Sequence, residues 1–163
     1  MGNELEIAVQ EIIDLCKSYA NYDFQTGYDS PFSIRFHQIM QNIDDPYIYF
    51  HLQTILLDYS EKYIPEDVKE ELIREIARIK NPNSENIRRV LIQQCLDLPT
   101  YFLKDSALMA LSELDSPLAL PILYELVDEK SENDLIESFK KDVQQVIDQL
   151  EKTEKELVIK KID

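Results

Sequence analysis

The sequence predicts an all-α chain wound as an α-solenoid, a right-handed superhelix of about three helix pairs with capping helices. Three observations predict it. Apolar residues recur at spacings of 3 and 4 along nearly the whole chain, and no run alternates with the period of 2 that a strand requires. Glycine occurs only at Gly2 and Gly27, leaving almost no material for tight hairpins or glycine-rich phosphate loops. Proline recurs between helical segments at positions 46, 82 and 117, intervals of 36 and 35 residues. A period in the mid-thirties with two helices per unit marks stacked helix pairs.

The helices follow in order. The first is expected over Glu4 to Tyr19 and the second over Pro31 to Asn42. Between them Asn21 to Ser30 combines turn formers with three aromatics and reads as the longest loop. A third helix is expected from Pro46 to Tyr59, with the acids Asp44 and Asp45 at its positive N-terminal end. Its expected buried face is Ile48, Leu52, Ile55, Leu56 and Tyr59, which leaves Tyr47, Thr54 and Asp58 outside and Tyr49 at the flank. Pro65 to Lys80 is the clearest amphipathic helix: Pro65, Glu66 and Asp67 open it, and Val68, Leu72, Ile73, Ile76 and Ile79 share one face. Further helices are expected over Ser84 to Asp97, Thr100 to Leu114 and Pro117 to Asp128. Ser131 with Asp134 forms a capping-box-like start to the last and longest helix, with Ile136, Phe139, Val143, Val146 and Leu150 as its stripe.

The stretch LSELDSPLALPILYELVDE places Pro117 and Pro121 inside an apolar run. Ser116 is a candidate cap, and Pro117 at the first helical position lacks only an N–H that has no intrahelical partner. Pro121 then falls one turn inside the helix, where a loosened or kinked first turn is expected. Ala107, Ala110, Leu111, Leu114, Asp115, Ser116, Pro117, Ala119, Leu120, Pro121, Leu123 and Leu126 together resemble one HEAT-type repeat. The corners at Pro46 and Pro82 keep the proline and the period but not the Ala-Leu-Pro segment. The resemblance implies a curved stack of antiparallel helix pairs whose second helices line a concave binding face. Small bacterial proteins of this type include immunity proteins that neutralise a toxin, scaffolds, bilin lyases and DNA glycosylases. The last are basic, and this chain departs from them.

Composition narrows the function. A chain of 163 residues suffices for a single domain, taken as 1–163, that buries about 70% of the surface its unfolded form exposes. Acids outnumber bases 32 to 17, a net charge of −15, which disfavours direct contact with nucleic acid or an anionic membrane and favours a basic protein partner. Residues 1 to 63 hold 10 acids and 3 bases, 64 to 104 hold 7 of each, 105 to 151 hold 12 and 3, and the tail from 152 holds 3 and 4. Cys16 and Cys95 have no C-x-x-C companion and read as buried thiols of a reducing cytoplasm. The first twenty residues are acidic where an export signal is basic, and no apolar run spans a membrane, so a cytoplasmic location is expected.

His37 and His51 are the only histidines and lie on different expected helices, so no metal site, cofactor or catalytic dyad is expected, and the chain is not read as an enzyme. Eleven of the 15 Tyr and Phe residues precede residue 64. Rigid tyrosines among carboxylates anchor protein interfaces. The expected partner-binding residues are therefore Asp45, Tyr47, Tyr49 and Asp58 at one end, with Glu125, Asp128, Glu129 and Glu132 at the other. The resulting expectation is a cytoplasmic protein-binding module, monomeric or weakly dimeric, that neutralises a basic protein such as a nuclease toxin. An adaptor scaffold is the alternative, followed by a bilin-lyase-like enzyme.

Overall fold

The computed structural model describes residues 2–19, 30–43, 45–57, 64–128 and 135–162. Among them every regular element is helical: α1 (Gly2–Ser18), α2 (Pro31–Gln41), α3 (Tyr47–Leu57), α4 (Glu66–Ala77), α5 (Glu85–Gln94), α6 (Tyr101–Leu114), α7 (Leu120–Val127) and α8 (Glu137–Ile162). Short 3₁₀ turns occupy Pro82–Ser84, Cys95–Asp97 and Pro117–Ala119. The chain is all-α over this range, and no described helix is long and apolar enough to cross a membrane.

Local chemistry sets the helix ends. Ser30 caps α2, its Oγ accepting from the N–H of Ser33 at 3.1 Å, with Pro31 at the first position. Thr100 does the same for α6 through Leu103 at 3.4 Å. That helix ends at Asp115, the one described non-glycine residue with positive φ, at 52°. The Asp115 carboxylate accepts from Gln149 Nε2 at 2.9 Å and Thr153 Oγ1 at 2.8 Å, both on α8, which fastens the strained corner to a second helix.

The two proline corners at 82 and 117 share one construction. Each proline opens a 3₁₀ turn, and the α-helix begins only after it, at Glu85 and at Leu120. Pro121 therefore sits in the first turn of α7, where its missing N–H has no helical partner to lose. The loosened first turn that the two prolines call for is this 3₁₀ turn, and the α-helix starts three residues later than the sequence suggests. Ser116 makes no side-chain cap there, whereas Asn81 caps the earlier corner by accepting from Asn83 N–H at 3.0 Å.

The core is one cluster running from Ala8 to Leu150. Val68, Leu72, Ile73 and Ile76 of α4 are fully buried, each contributing roughly 1.5–3 kcal/mol. Phe32 and Phe36 of α2 stack at 6.4 Å, and Tyr19 meets Phe32 edge-on at 5.6 Å. Helices α2, α4, α6 and α8 touch in succession, as do α1, α3 and α5, with α7 packed on α8. In α8 the expected stripe of Phe139, Val143, Val146 and Leu150 is buried. Ile136 is exposed instead, because it precedes the helix at the point where its backbone N–H donates to the Tyr101 hydroxyl at 2.9 Å.

A buried arginine locks α5 to the end of α4. Arg88 on α5 donates to the carbonyls of Ile76 at 3.1 Å and Asn81 at 3.0 Å and to Ser84 Oγ at 2.9 Å. It thereby satisfies the carbonyl end of α4 from the following helix.

Candidate protein-binding face

Helix α3 carries no Asp, Glu, Lys or Arg, in a chain of which 30% is charged. Its apolar residues exceed what one buried stripe needs. Ile48, Tyr49, Leu52 and Leu56 go inward, while Tyr47 and Phe50 remain 62% exposed. Their rings lie 5.9 Å apart. On α5, Ile87 and Val90 stand one turn apart and are also exposed. Between the two helices runs a groove of about 290 Å³ lined by Phe50, Ile87, Val90 and Leu91, with Tyr49 at its floor. Gln53 and Gln94 close it with a 2.7 Å hydrogen bond. A neighbouring cavity of about 220 Å³ shares Tyr49 and Ile87 with the groove and adds Asp45, Pro46 and Asn83. The groove thus continues toward a carboxylate.

The expected site residues scatter over this frame. Asp45 stands before α3 and accepts from Tyr47 N–H at 3.0 Å, so its carboxylate caps the helix as well as lining the cavity. Tyr47 is exposed as expected. Tyr49 is not a flank anchor: it is 7% exposed, because α3 is covered on one side by α1 and on another by α5, and that double cover takes in residue 49. Glu125 and Asp128 are exposed on and just after α7. Asp58, Glu129 and Glu132 lie outside the described residues, as do the expected loop over 21–29 and the capping pair Ser131 and Asp134. The described members stand at α3 and at α7, and α5 packs against α3. Arg89 of α5 reaches the carbonyl of Leu118, at the corner before α7, at 3.4 Å.

A tyrosine among carboxylates does occur, on α7. Tyr124 on α7 is exposed, and its phenol is pushed up by partial burial and then by Glu151 and Glu154 of α8. With Glu125 and Asp128 beside it, this end of the face is acidic. Its only sequence signal is a tyrosine next to Glu125; the α8 acids are brought in by packing.

Two carboxylates of α4 are buried in the core. Glu75 is fully buried; burial alone would raise its pKa, but hydrogen bonds from His37, Ser33 and Arg78 outweigh that and hold it below the usual carboxylate range. His37 Nε2 lies 3.1 Å and Arg78 Nη1 2.8 Å from that carboxylate. Ser33 and His37 both converge on Glu75 Oε2 rather than on each other, which is an anchoring arrangement and not that of a nucleophile and its base. One turn earlier Glu71 is also fully buried; its Oε2 lies 3.4 Å from Arg74 and its Oε1 has no partner. Desolvation pushes its pKa up to about 7, with Arg74 opposing and Glu75 and Glu70 adding to the rise. Burial likewise pushes the Cys16 and Cys95 thiols up to about 12. No group of three or more metal-ligating side chains occurs among the described residues.

No family model matches this chain, and neither a curated protein nor a solved structure does.

Proposed function

We propose that this chain is a non-enzymatic protein-binding module of stacked, HEAT-like helix pairs that engages a basic protein through the outer faces of α3, α5 and α7. The observation that carries the reading is the groove between α3 and α5: Phe50, Ile87 and Val90 stand exposed around a buried Tyr49. Exposed apolar side chains gathered round one concavity, with polar residues at its rim, mark a docking surface. The stacking order supports the solenoid: alternate helices touch in succession, and two corners repeat the same proline-led 3₁₀ turn. The partner's charge follows from the net −15 and from the acids around Tyr124.

Within that reading the role is inhibition of a basic protein such as a nuclease toxin. Phe50, Ile87 and Val90 supply the contact energy, while Glu125, Asp128 and Glu151 take the places that substrate phosphates occupy in a cationic cleft. The test is capture of partners at low salt, followed by titration calorimetry of each purified partner at low and high salt. A basic partner whose affinity falls more than about tenfold between 50 and 500 mM salt, and which Phe50→Glu releases, is expected. An acidic partner, or binding indifferent to both salt and Phe50→Glu, refutes the proposal.

A further inference from the structure

Helix α8 is 26 residues long, about 39 Å, and outruns the body that packs on it. Val143, Val146, Ile147 and Leu150 are buried, but from Glu154 to Lys161 every side chain is exposed. Leu157 is 46% and Val158 53% exposed. These are not scattered surface apolars. Stepping from Leu150 by 4, 3 and 4 residues gives Glu154, Leu157 and Lys161, so the core-facing stripe of α8 continues into solvent. Val158 lies beside it, and Glu154, Leu157, Val158 and Lys161 form a single ridge at i, i+3, i+4 and i+7.

The ridge reads acid, apolar, apolar, base, and that order is its own complement when reversed. Laid antiparallel against a second copy about a two-fold axis between residues 157 and 158, Glu154 faces Lys161 of the other copy and Leu157 faces Val158. Within one helix Glu154 and Lys161 are two turns apart, about 10 Å along the axis, too far to pair with each other. Glu156 and Lys160, by contrast, stand at i, i+4 and can pair within their own helix. Ile159, 60% exposed, points to the opposite side of the helix, roughly 160° from Leu157.

We propose that the projecting end of α8 is a self-association surface through which two copies of this chain pair antiparallel, burying Leu157 and Val158 between reciprocal Glu154–Lys161 ion pairs. A contact using one patch of each copy closes at two and does not propagate. Two short overhangs bury less than a standard interface, so the dimer is weak, with a dissociation constant on the order of 100 µM. The inference does not depend on the α3–α5 groove and survives the failure of that reading.

Sedimentation equilibrium of the full chain from about 10 µM to 1 mM tests it. The wild type is expected to self-associate, and Leu157→Ser to be monomeric. Glu154→Lys and Lys161→Glu each place like charges opposite one another and are expected to be monomeric alone. Mixed in equal amounts, those two chains restore both ion pairs and associate, as does the chain carrying both reversals. Ile159→Ser associates like the wild type. The proposal is overturned by a wild type that stays monomeric throughout this range, by single reversals that associate undiminished, by a mixture that stays monomeric, or by an Ile159→Ser chain as impaired as Leu157→Ser.

Discussion

Replacing Glu71 by Gln separates the cost of its charge from its shape. In the folded chain its pKa stands at about 7 against the ordinary 4.5. Below pH 4.5 the carboxyl is neutral in both folded and unfolded chains. As pH rises through 7 the folded chain must ionise a fully buried group, and the stability present at low pH is lost. At about 1.4 kcal/mol per unit, a shift of this size amounts to about 3 kcal/mol above pH 8. The amide keeps the volume and cannot ionise. Urea denaturation should therefore find Glu71→Gln more stable than the wild type by about 3 kcal/mol at pH 8, and by only a few tenths at pH 4.5. Arg74 opposes the shift and Glu75 one turn on adds to it; both couplings are already contained in the value of about 7 and vanish with the charge in Glu71→Gln. A stability difference that does not change between the two pH values would refute the reasoning.

Three further outcomes follow from the same packing. Glu75→Gln should destabilise the chain at pH 7, and its deficit relative to wild type should shrink as pH falls below 4.5 through the depressed pKa; a pH-independent deficit would contradict the hydrogen-bonded carboxylate. Arg88→Ala should cost about 3 kcal/mol or more in a urea titration, because it uncaps the carbonyls of Ile76 and Asn81 and leaves a void, and a loss below about 0.5 kcal/mol would show that those carbonyls find other donors. Cys16 and Cys95 should both resist a thiol-specific reagent at pH 8 and react once the chain is unfolded in urea; fast reaction of either in the native chain would contradict its burial.

Spacing along the chain located the helices well, and the limits of that information lie at particular residues. Val68, Leu72, Ile73 and Ile76 announce α4 because the period of one buried face is written into one segment. Pro121 was harder, since what a proline does depends on which N–H the helix would have used, and a 3₁₀ turn at Pro117–Ala119 shifts that by three positions. Tyr49 was misplaced because α3 is covered on two sides, a fact held by α1 and α5 and not by α3. Arg88 left a trace: Ser84, Arg88, Leu91 and Cys95 follow at 4, 3 and 4, a base inside a core stripe, and all four are buried. The groove left none, because Phe50 and Ile87 belong to different segments and no single-helix pattern relates them. The same holds for Tyr124 with Glu151 and Glu154.

The clamp formed by Arg88 decides where such a molecule can bend. By gripping the end of one rod from the start of the next, a single guanidinium turns α4 and α5 into one elbow that resists opening. Across the seam between α3 and α5, Gln53 and Gln94 join side chain to side chain. A guest entering there would displace a contact between two side chains, while the elbow behind it keeps its grip on the backbone carbonyls.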